Sequence, residues 1–201
     1  VQMADFDPTT GALDTAAVTD LITSNTRLVA FTAASNLLGT RPDITAIAAA
    51  ARSVGALTYL DAVHHVPHLR TDLTGLGVDF LACSPYKFLG PHCGLLAVDP
   101  DLLESLQPDK LLPSTDDVPE RFELGTLPYE LMAGTTAAVD FLASLSSAAG
   151  DRRTRLDASF AALETHENAL IAELEAGLDD LDARRYSPAG PRTPTVLFDL
   201  P

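Results

Sequence analysis

Asp79 to Gly90 reads DFLACSPYKFLG, an apolar run from Phe80 to Cys83 that stops at a small polar residue, a proline, a tyrosine and one lysine, Lys87. An uninterrupted apolar run of that length suits a strand of a parallel sheet covered on both faces. Such sheets bind ligands outside the carboxyl ends of their strands. A lysine at the lip of an apolar site is desolvated, which disfavours the ammonium and favours the free amine that attacks a carbonyl carbon. The alternative is that Lys87 is the first solvated residue of a loop.

A second stretch repeats the design. ALTYLDAVHH, Ala56 to His65, is an apolar strand ending in Asp61, with His64 three residues on. Adjacent parallel strands would then bring a carboxylate and a lysine to one crevice. A lysine that forms an imine and a carboxylate that pairs with a pyridinium nitrogen are the protein groups that pyridoxal 5'-phosphate requires.

Between Ala34 and Leu96 the strings ASNLLGT, YLDAVHHVPH, SPYK and FLGPHCGLL follow one another, and RFELGTLPYE runs from Arg121 to Glu130. In order and spacing these blocks resemble the class V aminotransferase family that contains the cysteine desulfurases. The resemblance implies an α/β fold: fold type I of the pyridoxal-phosphate-dependent transferases (aspartate aminotransferase-like), three αβα layers about a mostly parallel sheet. It implies that Lys87 forms the imine, Asp61 holds the pyridine nitrogen, and Asn36 and His64 flank the ring oxygen, to which His64 can donate. Ser84 would contact the phosphate. Gly125 and Thr126 would reach the phosphate of a neighbouring subunit, giving a homodimer with shared sites. His64 departs from the family, where many desulfurases carry Gln, and changes the proton inventory of the site. Pro85 and Tyr86 replace a Gly-His pair, so Tyr86 joins the cofactor-binding set as a neutral phenol.

Composition bounds the rest. With 13 basic and 28 acidic residues the net charge is −15, which argues against nucleic acid or an anionic membrane as partner. No apolar run approaches a membrane span and no signal peptide is recognisable, so the expected location is cytoplasmic. Two cysteines, Cys83 and Cys93, give no disulfide framework. Cys83 should be buried and inert. Neither matches the mobile nucleophile of a desulfurase, which the resemblance puts in the second domain.

In chain order, 1–6 reads as a short strand, and Asp14 caps a helix to about Ser24. Residues 26–33 form a buried strand; Asn36 beyond it could instead shape a turn. Asp43 caps a helix that Gly55 stops. His64, His65 and His68 invite a metal site, but Pro67 argues against the helix that would align them, and none is assigned. Residues 90–98 read as a turn and a strand, which the resemblance implies is antiparallel, with His92 a loop histidine. Arg121 reads as an ion-pair partner of Glu123. Helices are expected from Pro128 to about Ser146 and over 151–182, the latter with an apolar stripe of Leu156, Phe160, Leu163, Leu170, Leu174 and Leu178 and a solvated acidic face. A strand at 195–199 would open a small α+β domain. The expected organisation is therefore the C-terminal half of a large cofactor domain (1–149), then a linking helix and a truncated second domain (150–201).

Both ends read as cut, so the chain is expected to be the middle of a longer protein and inactive alone. The expected function is that of a pyridoxal-phosphate enzyme acting on an amino acid, an aminotransferase or a cysteine desulfurase. Two alternatives stay open: an inert homologue kept for association, and a metal hydrolase built on the histidine cluster.

Overall fold

The computed structural model describes all residues, 1–201. Four strands, β1 (Leu28–Thr32), β2 (Leu57–Asp61), β3 (Phe80–Cys83) and β4 (Leu95–Val98), lie in the order β1-β2-β3-β4. The first three are parallel, and β4 runs antiparallel to β3 as expected. The short helices α1 (Thr15–Thr19), α2 (Ile44–Ser53), α3 (Leu73–Leu76) and α4 (Pro100–Ser105) alternate with the strands or follow them. Longer helices α5 (Tyr129–Ser144) and α6 (Arg152–Asp180) come next, then a two-residue ladder of β5 (Arg184–Arg185) with β6 (Phe198–Asp199).

The crossover between β1 and β2 follows from local chemistry. Asp43 accepts the Ala46 amide at 3.0 Å and starts α2. Alanines 48 and 51 are buried at that helix's inner face, where a small side chain lets helix and sheet approach closely. Gly55, at φ +74°, turns the chain back into β2. At the amino end of β2, buried Thr58 and Asp79 exchange three hydrogen bonds: Asp79 Oδ2 accepts from the Thr58 amide and hydroxyl, both at 2.8 Å, and the Asp79 amide donates to Thr58 Oγ1 at 2.9 Å. These bonds pin the register that pairs Tyr59 with Phe80 and Asp61 with Ala82.

One face of the sheet carries the core. Val29, Phe31, Leu60, Leu81 and Cys83 join residues of α2 and Leu142 of α5 in one buried cluster, against which Leu156 and Phe160 of α6 pack. The opposite face is open: Leu28 is 54% and Leu96 50% exposed, and Tyr59 stacks on Phe80 with ring centres 6.0 Å apart. Burial along β3 therefore alternates, where the apolar run suggested two covered faces.

Other expectations need correction. Residues 1–6 pair with no strand, and without a neighbour an extended segment has no ladder to join. Helix α1 ends at Thr19 because the next polar residues bond locally, the Thr23 amide to Thr26 Oγ1 at 2.9 Å and the Asn25 amide to Thr23 Oγ1 at 3.3 Å. The strand expected at 195–199 shrinks to Phe198–Asp199. Along α6, Leu170 and Leu174 are exposed, and the acidic face is partly paired: Glu167 meets His68, and Glu175 meets Arg185 and Arg192. No helix is long and apolar enough to cross a membrane.

Candidate functional site at the carboxyl edge of the sheet

Thr32, Asp61 and Ala82 sit in register across β1, β2 and β3, so three strands end along one edge. Asp61 lies on the open face, opposite in the pleat to fully buried Leu60. Its Oδ1 accepts the Val63 amide at 3.0 Å, which starts the series of turns carrying the histidines. From the neighbouring strand the chain passes through Ser84 into a turn of 3₁₀ helix, Pro85–Phe88, that carries Lys87. Ser84 precedes that turn without capping it, so its hydroxyl makes no bond to the helix.

Lys87 is exposed, with Nζ 5.5 Å from the centre of the Tyr86 ring. The expected desolvation is thus absent here, because the lysine leaves the strand on the open side of the edge. Lys87 and Lys110 are the only lysines of the chain. Lys110 is engaged, donating to the Ser114 carbonyl at 2.7 Å and pairing with Asp116 at 3.0 Å. Tyr86 stacks nearly parallel on His92, centres 5.0 Å apart, which gives the loop histidine a partner.

The histidines diverge. His65 is buried, and its Nδ1 meets Thr71 Oγ1 at 3.0 Å; that hydroxyl donates to the Leu69 carbonyl, so the imidazole Nδ1–H is the donor. Burial, with Arg41 and His68 nearby, pushes the His65 pKa down to about 4. His68 Nδ1 pairs with Glu167 at 2.9 Å. His64 Nε2 meets Thr195 Oγ1 at 2.7 Å, and its ring makes an edge contact with His68, centres 5.3 Å apart. Burial first, then His68 and Lys87, lower the His64 pKa, so His64 lies within the field of Lys87. Nowhere do three His, Cys, Asp or Glu side chains converge as a metal site would need.

Asp61 ends β2, with His64 three residues on, and Ser84 and Lys87 follow β3 at the same edge of the sheet. Asn36 lies in the turn after β1 and is exposed; Ser35 shapes that turn, its Oγ accepting the Leu37 and Leu38 amides. Gly125 and Thr126 instead line a separate cleft of about 450 Å³ with Ser114, Glu120 and Tyr129. Arg121 is a buried structural residue, but its partner is not Glu123. The 3₁₀ turn Glu120–Phe122 directs it inward, where it bonds the Leu103 and Asp116 carbonyls and meets Glu104 at 3.5 Å. Burial raises the Cys83 thiol to about 11, which leaves it inert.

Sequence reasoning missed Thr195 and Glu167, the partners of His64 and His68. They lie 131 and 99 residues away along the chain, and no local pattern marks such contacts. The segment that carries Thr195 is held close to the Asn36 turn. Thr40 bridges to Arg192, and at Gly39 (φ +78°) a Cβ would fall 2.7 Å from the Thr193 carbonyl, so only glycine fits.

A family model for class-V aminotransferases matches residues 1–200. A protein described as "Probable cysteine desulfurase 2" from Mycobacterium leprae is 35% identical over 179 residues, covering 83% of this chain and 39% of that protein. A "Probable cysteine desulfurase" from Methanothermobacter thermautotrophicus is 31% identical over 185 residues, 86% of this chain and 43% of its own. The apo structure of a cysteine desulfurase from Thermococcus onnurineus NA1 superposes with a TM-score of 0.81 at 25% identity, covering all of this chain and 50% of that one. The chain spans half or less of the length of these relatives. Its fold is fold type I of the pyridoxal-phosphate-dependent transferases, as the sequence led one to expect.

Proposed function

This chain belongs to the class-V aminotransferase family, and on that premise we propose that the carboxyl edge of its sheet is the pyridoxal-phosphate site of an enzyme acting on an amino acid, by transamination or by cysteine desulfuration. The observation that carries the reading is the register of Asp61 on β2 beside Ala82 on β3, with Lys87 five residues further on at the same edge.

The donor set suits the cofactor. Lys87 is the lysine without an anionic partner and supplies the amine that bonds a carbonyl carbon. Asp61 keeps one carboxylate oxygen beyond the bond to Val63, suited to a protonated ring nitrogen. The uncommitted Ser84 hydroxyl, with Tyr86 near it in sequence, suits a phosphate, and Asn36 suits a ring oxygen, with His64 as a proton-handling group next to it. When bound, pyridoxal phosphate supplies an electron-poor ring that draws electrons from the carbon next to the substrate nitrogen. Lys87 then holds and returns the proton of that carbon. Gly125 and Thr126, in a cleft apart from Lys87, suit the phosphate of a second subunit, and we propose a homodimer on that ground. We further propose that the cofactor domain ends near Gly150 and that the protein is cytoplasmic.

Two lysines make the test clean. Incubation with pyridoxal phosphate, reduction with borohydride and peptide mapping should put the label on Lys87 and not on Lys110. Lys87→Ala should abolish the visible absorbance band that the protein shows after incubation with the cofactor and before reduction. Equal labelling of both lysines would overturn the reading. In the intact protein Asp61→Asn should retain cofactor while slowing turnover.

A further inference from the structure

His64 Nε2 begins a line of hydroxyls that leads into the core. Thr195 Oγ1 lies 2.7 Å from it, Thr193 Oγ1 lies 3.4 Å from Thr195 Oγ1, and the Thr193 hydroxyl donates to the Gly39 carbonyl at 3.5 Å. Thr193 is 1% exposed, so its hydroxyl has no water to turn to. A carbonyl only accepts, and this fixes the direction of the line. With Thr193 donating to Gly39, Thr195 donates to Thr193, and the lone pair left on Thr195 Oγ1 receives a proton from His64 Nε2. We propose that Thr195 and Thr193 are positioning residues that hold His64 as its Nε2–H tautomer, leaving Nδ1 as the open acceptor atom.

Two further contacts fit. The edge of the His68 ring rests on His64, and Glu167 holds His68, so the imidazole cannot turn freely to exchange its nitrogens. Burial first, then His68 and Lys87, favour the neutral ring. The consequence for chemistry rests on the function proposed above. A neutral Nε2–H imidazole cannot donate from Nδ1, so His64 takes a proton where the family resemblance suggests it gives one. From an amino-acid substrate it would accept a proton of the ammonium group, leaving an imidazolium and a free amine ready to attack a carbonyl carbon.

The tautomer can be read without cofactor or turnover. Long-range ¹H–¹⁵N correlation on the imidazole of His64, in the full chain at neutral pH, should show a protonated Nε2 and an unprotonated Nδ1 with well-separated nitrogen resonances. Thr195→Val should collapse that separation toward the averaged position of an exchanging ring, and Thr195→Ser should restore it. Thr193→Val should cause a smaller collapse. An Nδ1–H tautomer in the unmodified chain, or the same averaged signals in the unmodified chain and Thr195→Val, would overturn the assignment. The Lys87 labelling experiment is independent of this result, so failure of one is distinguishable from failure of the other.

Discussion

The sheet edge and the arm after α6 meet at His64, yet they are held by different forces. Asp61 and Ser84 stand where backbone ladders end over fully buried Leu60. The arm, residues 184–199, is held by a two-residue ladder, by the backbone bridge of Thr40 to Arg192 with the Thr193 amide on the Gly39 carbonyl, and by side-chain pairs: Arg185 with Glu175 and Asp179, and Arg192 with Glu175. Apolar burial and ladder bonds act cooperatively, whereas partly exposed ion pairs are individually weak and yield to salt. The rigid side thus presents the groups proposed to hold the cofactor, and the loosely held side supplies the hydroxyl that orients His64.

That contrast can be broken, most severely at the core. Leu60→Ala empties a fully buried site beneath Asp61 and should cost about 2–5 kcal/mol in global stability, read by denaturant unfolding. A loss below about 1 kcal/mol would mean that the sheet is not the rigid partner.

Acid should act next, through His65. Its folded pKa of about 4 lies below the ordinary 6.5, so between these values the unfolded chain binds the extra proton. The neutral buried ring therefore stabilises fully above pH 6.5, and that stability is lost as pH falls through about 4. The loss is roughly 3 kcal/mol. His65→Gln should flatten the stability profile in that window, and an unchanged slope would contradict the assignment.

Asp79→Ala removes the acceptor of the buried Thr58 amide and hydroxyl and should cost about 1–3 kcal/mol. Hydrogen exchange should quicken along β2 and β3 first. The smallest effect is expected for Glu175→Gln, at about 1 kcal/mol or less. It should speed exchange of the Tyr186 amide, bonded to the Leu197 carbonyl at 2.8 Å, while amides of β2 stay protected. Equal acceleration in both regions would erase the distinction between edge and arm.

The parallel order of β1 to β3 was legible because apolar runs, caps and turn residues act over a few positions, whereas the antiparallel direction of β4 was implied by the family resemblance. Asp43 and Gly55 bracket α2 as read, Asp61 ends β2, and Lys87 lies four residues past the end of β3. The length of α1 was not legible, since side-chain bonds among Thr23, Asn25 and Thr26 compete with the helix. Nor was the partner of Arg121, which turns inward to Glu104 and two carbonyls rather than out to Glu123.

By itself the sequence determined which residues end the strands, because a strand terminates where its own apolar pattern stops, and with that the acid and the amine of the proposed site. Only the tertiary structure decided what surrounds them: the open sheet face beside Asp61, the exposure of Lys87, and the separate partners of His64, His65 and His68. Those outcomes depend on contacts between segments up to 131 residues apart, where packing and charge select the partner and no local period records the choice.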